Sequence, residues 1–169
     1  MPGVVDRDVV RAQKAYEAVV NTKGKASSDS ESEFRSQYTG LPSLLHNHGL
    51  FQTVAFLMSR EDDCKPQYQR AWEDLMAGTL DGCSSLSGAP TDLCRGAVLH
   101  WMAKLDSLQH RLLSSEALAY SAWLKRWAEV LLEARKDADR RGEVADQSTV
   151  RADDEQAETE AQGGSSDGQ

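Results

Sequence analysis

Apolar residues recur along most of this chain at spacings of three and four, the mark of helices with one face turned inward. Val9, Ala12, Tyr16, Val19 and Val20 keep that period and Asp6 precedes them as an N-cap, so a first helix is predicted from Asp6 to Thr22. Residues 25–33 (KASSDSESE) are polar and aperiodic and read as a loop. Phe34, Tyr38, Leu41 and Leu45 predict a second helix ending at His46, which Pro42, lacking an amide hydrogen, should bend or restart. Gly49 suits a helix end or a tight corner. Residues 50–58 (LFQTVAFLM) could be a strand by composition, but their place between helices makes them a buried helix.

Tyr68, Trp72, Leu75 and Met76 predict a helix over 66–80, followed by a loop at 82–90 (GCSSLSGAP). Thr91 is expected to cap a helix reaching Asp106, with Val98, Trp101, Met102 and Leu105 inside. In the last helix Leu113, Ala117, Tyr120, Leu124, Trp127, Leu131 and Ala134 follow the period, with Ser114 as expected N-cap and Glu116 in the first turn. From residue 137 the chain turns to Asp, Glu, Gln, Ser and Gly, too few apolar groups to offset the entropy of ordering. The expected architecture is all-α: a compact bundle of five to seven helices over residues 1–136, then a disordered acidic tail over 137–169.

Charge changes the picture once it is divided along the chain. Of 27 acids and 19 bases, residues 137–169 hold ten and three, leaving 17 and 16 for residues 1–136. The net charge of -8 therefore belongs mainly to the tail, and the bundle is nearly neutral. No apolar run approaches the roughly 18 residues of a membrane span, and the first residues carry Asp6, Arg7 and Asp8 in place of a signal peptide. Cys64, Cys83 and Cys94 are odd in number and form no C-x-x-C pair, so reduced thiols in a cytoplasmic protein are expected.

Three groupings could carry chemistry. His46-Asn47-His48 spells a nuclease signature, but on a helix the two histidines point about 200° apart and cannot share a metal. Glu61, Asp62 and Asp63 lack further oxygen ligands and read as a solvated loop. Asp106, His110 and Ser114 repeat triad residue types along one helix face, with no oxyanion hole beside them. No phosphate-binding or zinc-hydrolase motif occurs, so neither a cofactor, a metal nor an enzymatic role is expected.

Basic residues offer a different use. Arg7, Arg11 and Lys14 fall within about 60° on the face opposite Tyr16, with neither Asp8 nor Glu17 on that stripe. Unneutralised, such a row can follow a phosphate backbone without reading sequence; the plainer alternative is a solvated face. Lys125 and Arg126 on the last helix, with Arg35, Lys104 and Arg111, are further RNA-backbone candidates. Trp123 lies at the edge of the apolar stripe, either as core or as an anchor for a neighbouring subunit.

Three blocks carry a resemblance: AQKAYEAV (12–19), GLPSLLHNHGLFQTVAFLMS (40–59) and EALAYSAWLKRWAEVLLEA (116–134). In this order and spacing they resemble the small helical subunit of the type III-B CRISPR (Cmr) effector complex. The resemblance implies a helical bundle without catalytic activity. It also implies copies stacked as a minor filament beside guide and target RNA, contacting other Cmr subunits and each other. A helical adaptor that binds only proteins is the alternative.

Overall fold

The structure, a computed structural model, describes residues 6–61 and 65–132. Five helices follow one another: α1 (Arg7–Lys23), α2 (Ser28–Glu61), α3 (Pro66–Gly82), α4 (Arg95–Met102) and α5 (Ser107–Leu131). No strand occurs among the described residues, so the all-α bundle stands as expected. The segment expected to be a tail lies outside the described residues, as do Asp62, Asp63 and Cys64.

Helix α5 is the hub: α1, α2 and α3 all pack on it, and α4 rests on α2. The shared core is built from Tyr38, Leu41, Leu50, Val54, Leu57 and Met58 of α2, Trp72, Leu75 and Met76 of α3, and Leu113, Ala117 and Leu124 of α5. Each fully buried large side chain contributes about 1.5–3 kcal/mol of hydrophobic free energy, so the three-way junction at α5 outweighs any local helix preference.

Several boundaries differ from the expected ones, each for a physical reason. Helix α2 starts at Ser28, because Ser and acidic residues that read as loop also suit a helix's first turn; the Ser27 carbonyl accepts from the Ser30 and Glu31 amides. Helical backbone continues through Pro42, flanked by the buried Tyr38, Leu41 and Leu45, and the break falls instead at Gly49. At φ 77° and ψ 169°, Gly49 holds a conformation that a residue with Cβ reaches only under strain. Helix α4 begins at Arg95 with Cys94 as its N-cap, so Thr91 is not the cap and the helix stops short of Asp106. Helix α5 starts at Ser107, seven residues before the expected Ser114. Its cap is a reciprocal box in which Asp106 accepts from the Gln109 amide at 2.8 Å and Gln109 accepts from the Asp106 amide at 3.1 Å.

Helices α3 and α5 meet along a seam of two glycines. A Cβ on Gly78 would strike the Tyr120 ring, and one on Gly82 would strike the Glu116 carboxylate. Tyr120 and Glu116, one turn apart on α5, thus lie directly on the α3 backbone. A second fixture is polar. Tyr38 donates a short hydrogen bond to Asp74, Thr22 lies 2.9 Å from the Tyr38 hydroxyl, and Arg70 closes on Asp74 at 3.1 Å. Burial pushes the Asp74 carboxyl above its ordinary value, against the opposing pull of Tyr38 and Arg70.

Two outcomes follow. Gly78→Ala forces the Tyr120 ring off α3 and should lower unfolding free energy by about 1–3 kcal/mol in urea titrations; a loss under about 0.5 kcal/mol contradicts the seam. The folded chain holds the Asp74 proton more tightly than the unfolded chain. Its contribution is therefore fully present below the ordinary carboxylate value of 3.8 and lost as pH rises through the raised folded value. The stability difference between the native chain and Asp74→Asn should shift toward the variant as pH climbs from 4 to 7; a shift toward the native chain contradicts the raised value.

Candidate interaction faces

The orientation of α1 decides which of its faces is available. Its buried residues are Ala15, Val19 and Thr22, whereas Val9 and Tyr16 are 50% and 44% exposed. The helix is thus turned by roughly a quarter-turn from the expected seat on Val9, Ala12 and Tyr16. The cause is a polar contact. Arg11 reaches across to Glu116 of α5 with two bonds of 2.7 Å, and Glu116 is buried against Gly82. The hydrogen bond from Arg11 to Glu116 holds the guanidinium proton more firmly than usual, against the cost of burial.

The premise that Arg7, Arg11 and Lys14 form an unneutralised row is therefore corrected. Arg7 donates to the Gly82 carbonyl at 2.9 Å, Arg11 pairs with Glu116 and with Asp8 at 3.5 Å, and Lys14 pairs with Asp81. Asp81 and Glu116 lie on α3 and α5, so no helical wheel of α1 could display them. Glu116 likewise does not serve the first turn of α5, since it lies well inside that helix.

The other bases are differently placed. Lys104, Arg111, Lys125 and Arg126 are exposed, and Arg35 is half-buried. Lys125 faces Glu129 at 3.9 Å, an exposed pair of the kind that contributes only tenths of a kcal/mol. Arg126 lies 4.7 Å from the centroid of the Trp123 ring. Arg111 and Lys125 point within about 40° of each other on the outer face of α5, about 21 Å apart along its axis.

Trp123 is half-buried and donates to Asp8 at 3.0 Å; Trp127 donates to the Ala12 carbonyl at 2.9 Å and meets Tyr16 edge to face. Between α1 and α5 these rings leave an open groove of about 620 Å³, walled by Val9, Ala12, Tyr16, Trp123 and Trp127, with Asp6, Asp8 and Glu17 on its lining. The sequence marked Trp123 but missed this groove, since the period of α1 assigns Val9 and Tyr16 to the core.

Among the described residues, those that could do chemistry do not converge. His46 and His48 are both exposed beside the Gly49 break, and His110 stacks on Phe51. Asp106 caps α5, and Ser114 lies within that helix. Cys83 is buried, and burial together with the nearby Glu116 charge raises its thiol above the ordinary range. Among the described residues no group of three or more His, Cys, Asp or Glu is placed to hold a metal ion, and no helix is long and apolar enough to cross a membrane.

These features define a small helical-bundle protein whose distinctive chemistry lies on helix faces. The family described as CRISPR-associated protein (Cas_Cmr5) matches residues 7–131, and the chain belongs to this family. It is similar to the CRISPR system Cmr subunit Cmr5 of Thermus thermophilus, at 32% identity over 127 residues covering 75% of this chain and 96% of that protein. A crystal structure of a CRISPR-associated Cmr5 family protein, also from Thermus thermophilus, is similar at TM-score 0.58 and 30% identity, over 76% of this chain and all of the other.

Truncating the α1 bases should separate their roles. Arg11→Ala strands the Glu116 carboxylate in a mostly buried site and should cost about 2–4 kcal/mol. Lys14→Ala, in an exposed pair, should stay within about 0.5 kcal/mol. Equal losses in chemical denaturation contradict the assignment.

Proposed function

We propose that the chain is a non-catalytic small subunit of the type III-B CRISPR (Cmr) effector complex, which stacks along the guide–target RNA duplex and touches RNA backbone without reading sequence. One observation carries this reading: the family likeness begins at the first residue of α1 and ends at the last of α5, so it spans the whole helical unit. In such a machine base pairing reads the sequence, and a subunit of this kind adds positive charge and packing area along the duplex. A near-neutral bundle then binds RNA weakly alone and gains from being held beside it by other subunits.

The face we assign to the backbone is the outer side of α5, with Arg111 and Lys125 on one stripe and Lys104 preceding the helix. Supporting this is their exposure, with Lys125 held only by the weak exposed pair to Glu129, set against the engagement of Arg7 and Arg11 within the bundle. Arg126 and Arg35 remain secondary candidates, Arg126 because it covers Trp123.

The test is the double variant Arg111→Glu with Lys125→Glu, assembled with the other Cmr subunits and guide RNA. Assembly should survive, while RNA retention weakens. The slope of log affinity against log salt should fall by about one for each phosphate that no longer has a basic partner. Unchanged RNA retention with intact assembly would favour the protein-only adaptor instead. Charge reversal at Arg11 cannot serve this purpose, because it places two carboxylates together in the fold.

A further inference from the structure

Two surface patches are complementary, and only the bases of one of them, Lys104 and Arg111, also enter the RNA reading. Near the start of α5, Leu108 and Leu112 are 65% and 51% exposed, flanked by the exposed bases Lys104 and Arg111. Toward its other end lies the α1–α5 groove, apolar at Val9, Tyr16 and Trp123 and acidic at Asp6, Asp8 and Glu17. One patch is a pair of projecting aliphatic side chains with positive charge; the other is an aromatic-lined recess with negative charge. Arg126 covers the outer face of Trp123, which leaves the Val9–Tyr16 side of the recess open.

Their placement fixes how they can meet. On a helical wheel Leu112 and Trp123 lie within about 20° of each other, about 16 Å apart along the axis. Both patches look outward in nearly the same direction, so sliding one copy along α5 cannot bring patch and groove face to face. A two-fold axis perpendicular to α5 can, and it forms the same contact twice. We infer that a second copy of this chain docks on this face, with α5 antiparallel to α5, and that Leu108 and Leu112 of each copy enter the groove of the other. Lys104 and Arg111 then approach Asp6 and Glu17 at both ends of the pair, Asp8 being held already by Trp123 and Arg11. This pairing goes beyond the RNA-complex reading and does not depend on it. It covers Arg111, so it is a form of the chain outside the RNA-bound assembly.

Sedimentation equilibrium of the full chain, with Cys64 and Cys94 replaced by serine, tests the pairing. A monomer–dimer equilibrium is expected, and Leu112→Glu should weaken it at least tenfold with an unchanged helical signal and melting curve. Ala119 lies on the same face near the midpoint between the patches, so the two-fold brings it close to its own copy. Ala119→Cys should therefore form a covalent dimer with a short bismaleimide, and Ala77→Cys on the exposed face of α3 should not. A monomer at every concentration, growth beyond two copies, or equal cross-linking at Ala77 and Ala119 would overturn the inference. Guide-RNA retention in Cmr assemblies is a separate readout, so failure of the pairing and failure of the RNA reading remain distinguishable.

Discussion

The contact on which the arrangement turns is the ion pair between Arg11 and Glu116. Glu116 rests against the backbone of α3 because position 82 is glycine, and that close approach removes its carboxylate from water. A buried carboxylate needs a charged partner, and α1 supplies one across two bonds of 2.7 Å. Satisfying it turns α1 inward on Arg11, Ala15 and Thr22 and turns Val9 and Tyr16 outward. The same rotation engages Arg7 and Lys14, opens the groove beside Trp123 and Trp127, and leaves α5 with the exposed bases. Which side chains are left exposed is thus decided inside the bundle.

Much of the fold was legible because burial imposes period. Most of the stripe residues on α2, α3 and α5 are core residues, from Leu41 and Trp72 to Leu124, whereas Tyr68, Trp127 and Leu131 are only partly buried and Ala134 lies outside the described residues. The Gly49 corner was legible too, as few other residues tolerate its positive φ. What failed on α1 failed for one reason: a period of apolar residues ranks Val9 and Tyr16 above Arg11 and Thr22, yet a charge can turn inward ahead of its apolar neighbours when its partner is already desolvated. That partner is 105 positions away. The start of α5 was missed differently. Asp106 and Gln109 stand at capping-box spacing in the sequence, but Ser114, two residues before Glu116, presents the residue types of a helix start about two turns further on.

The candidate site was less legible than the fold. Exposure is a tertiary property, and the eight candidate bases look alike in one dimension. In the folded chain they divide: Arg11 is consumed by the core, Arg7 and Lys14 are tied to α3, Arg126 lies over an indole, and Arg111 and Lys125 share an outer stripe. Family likeness covers residues 7–131, the segment that carries this stripe. The bundle itself supplies a rigid ridge, because side chains on a packed helix keep their spacing where a loop would not.

A double-mutant cycle at Arg11 and Glu116, using alanine at each position and both together, measures the central contact most directly. The account predicts a coupling of about 2 kcal/mol or more in unfolding free energy, since each single variant leaves a charge without its partner in a site shielded from water. A coupling below about 0.5 kcal/mol, as found for exposed surface pairs, would contradict it.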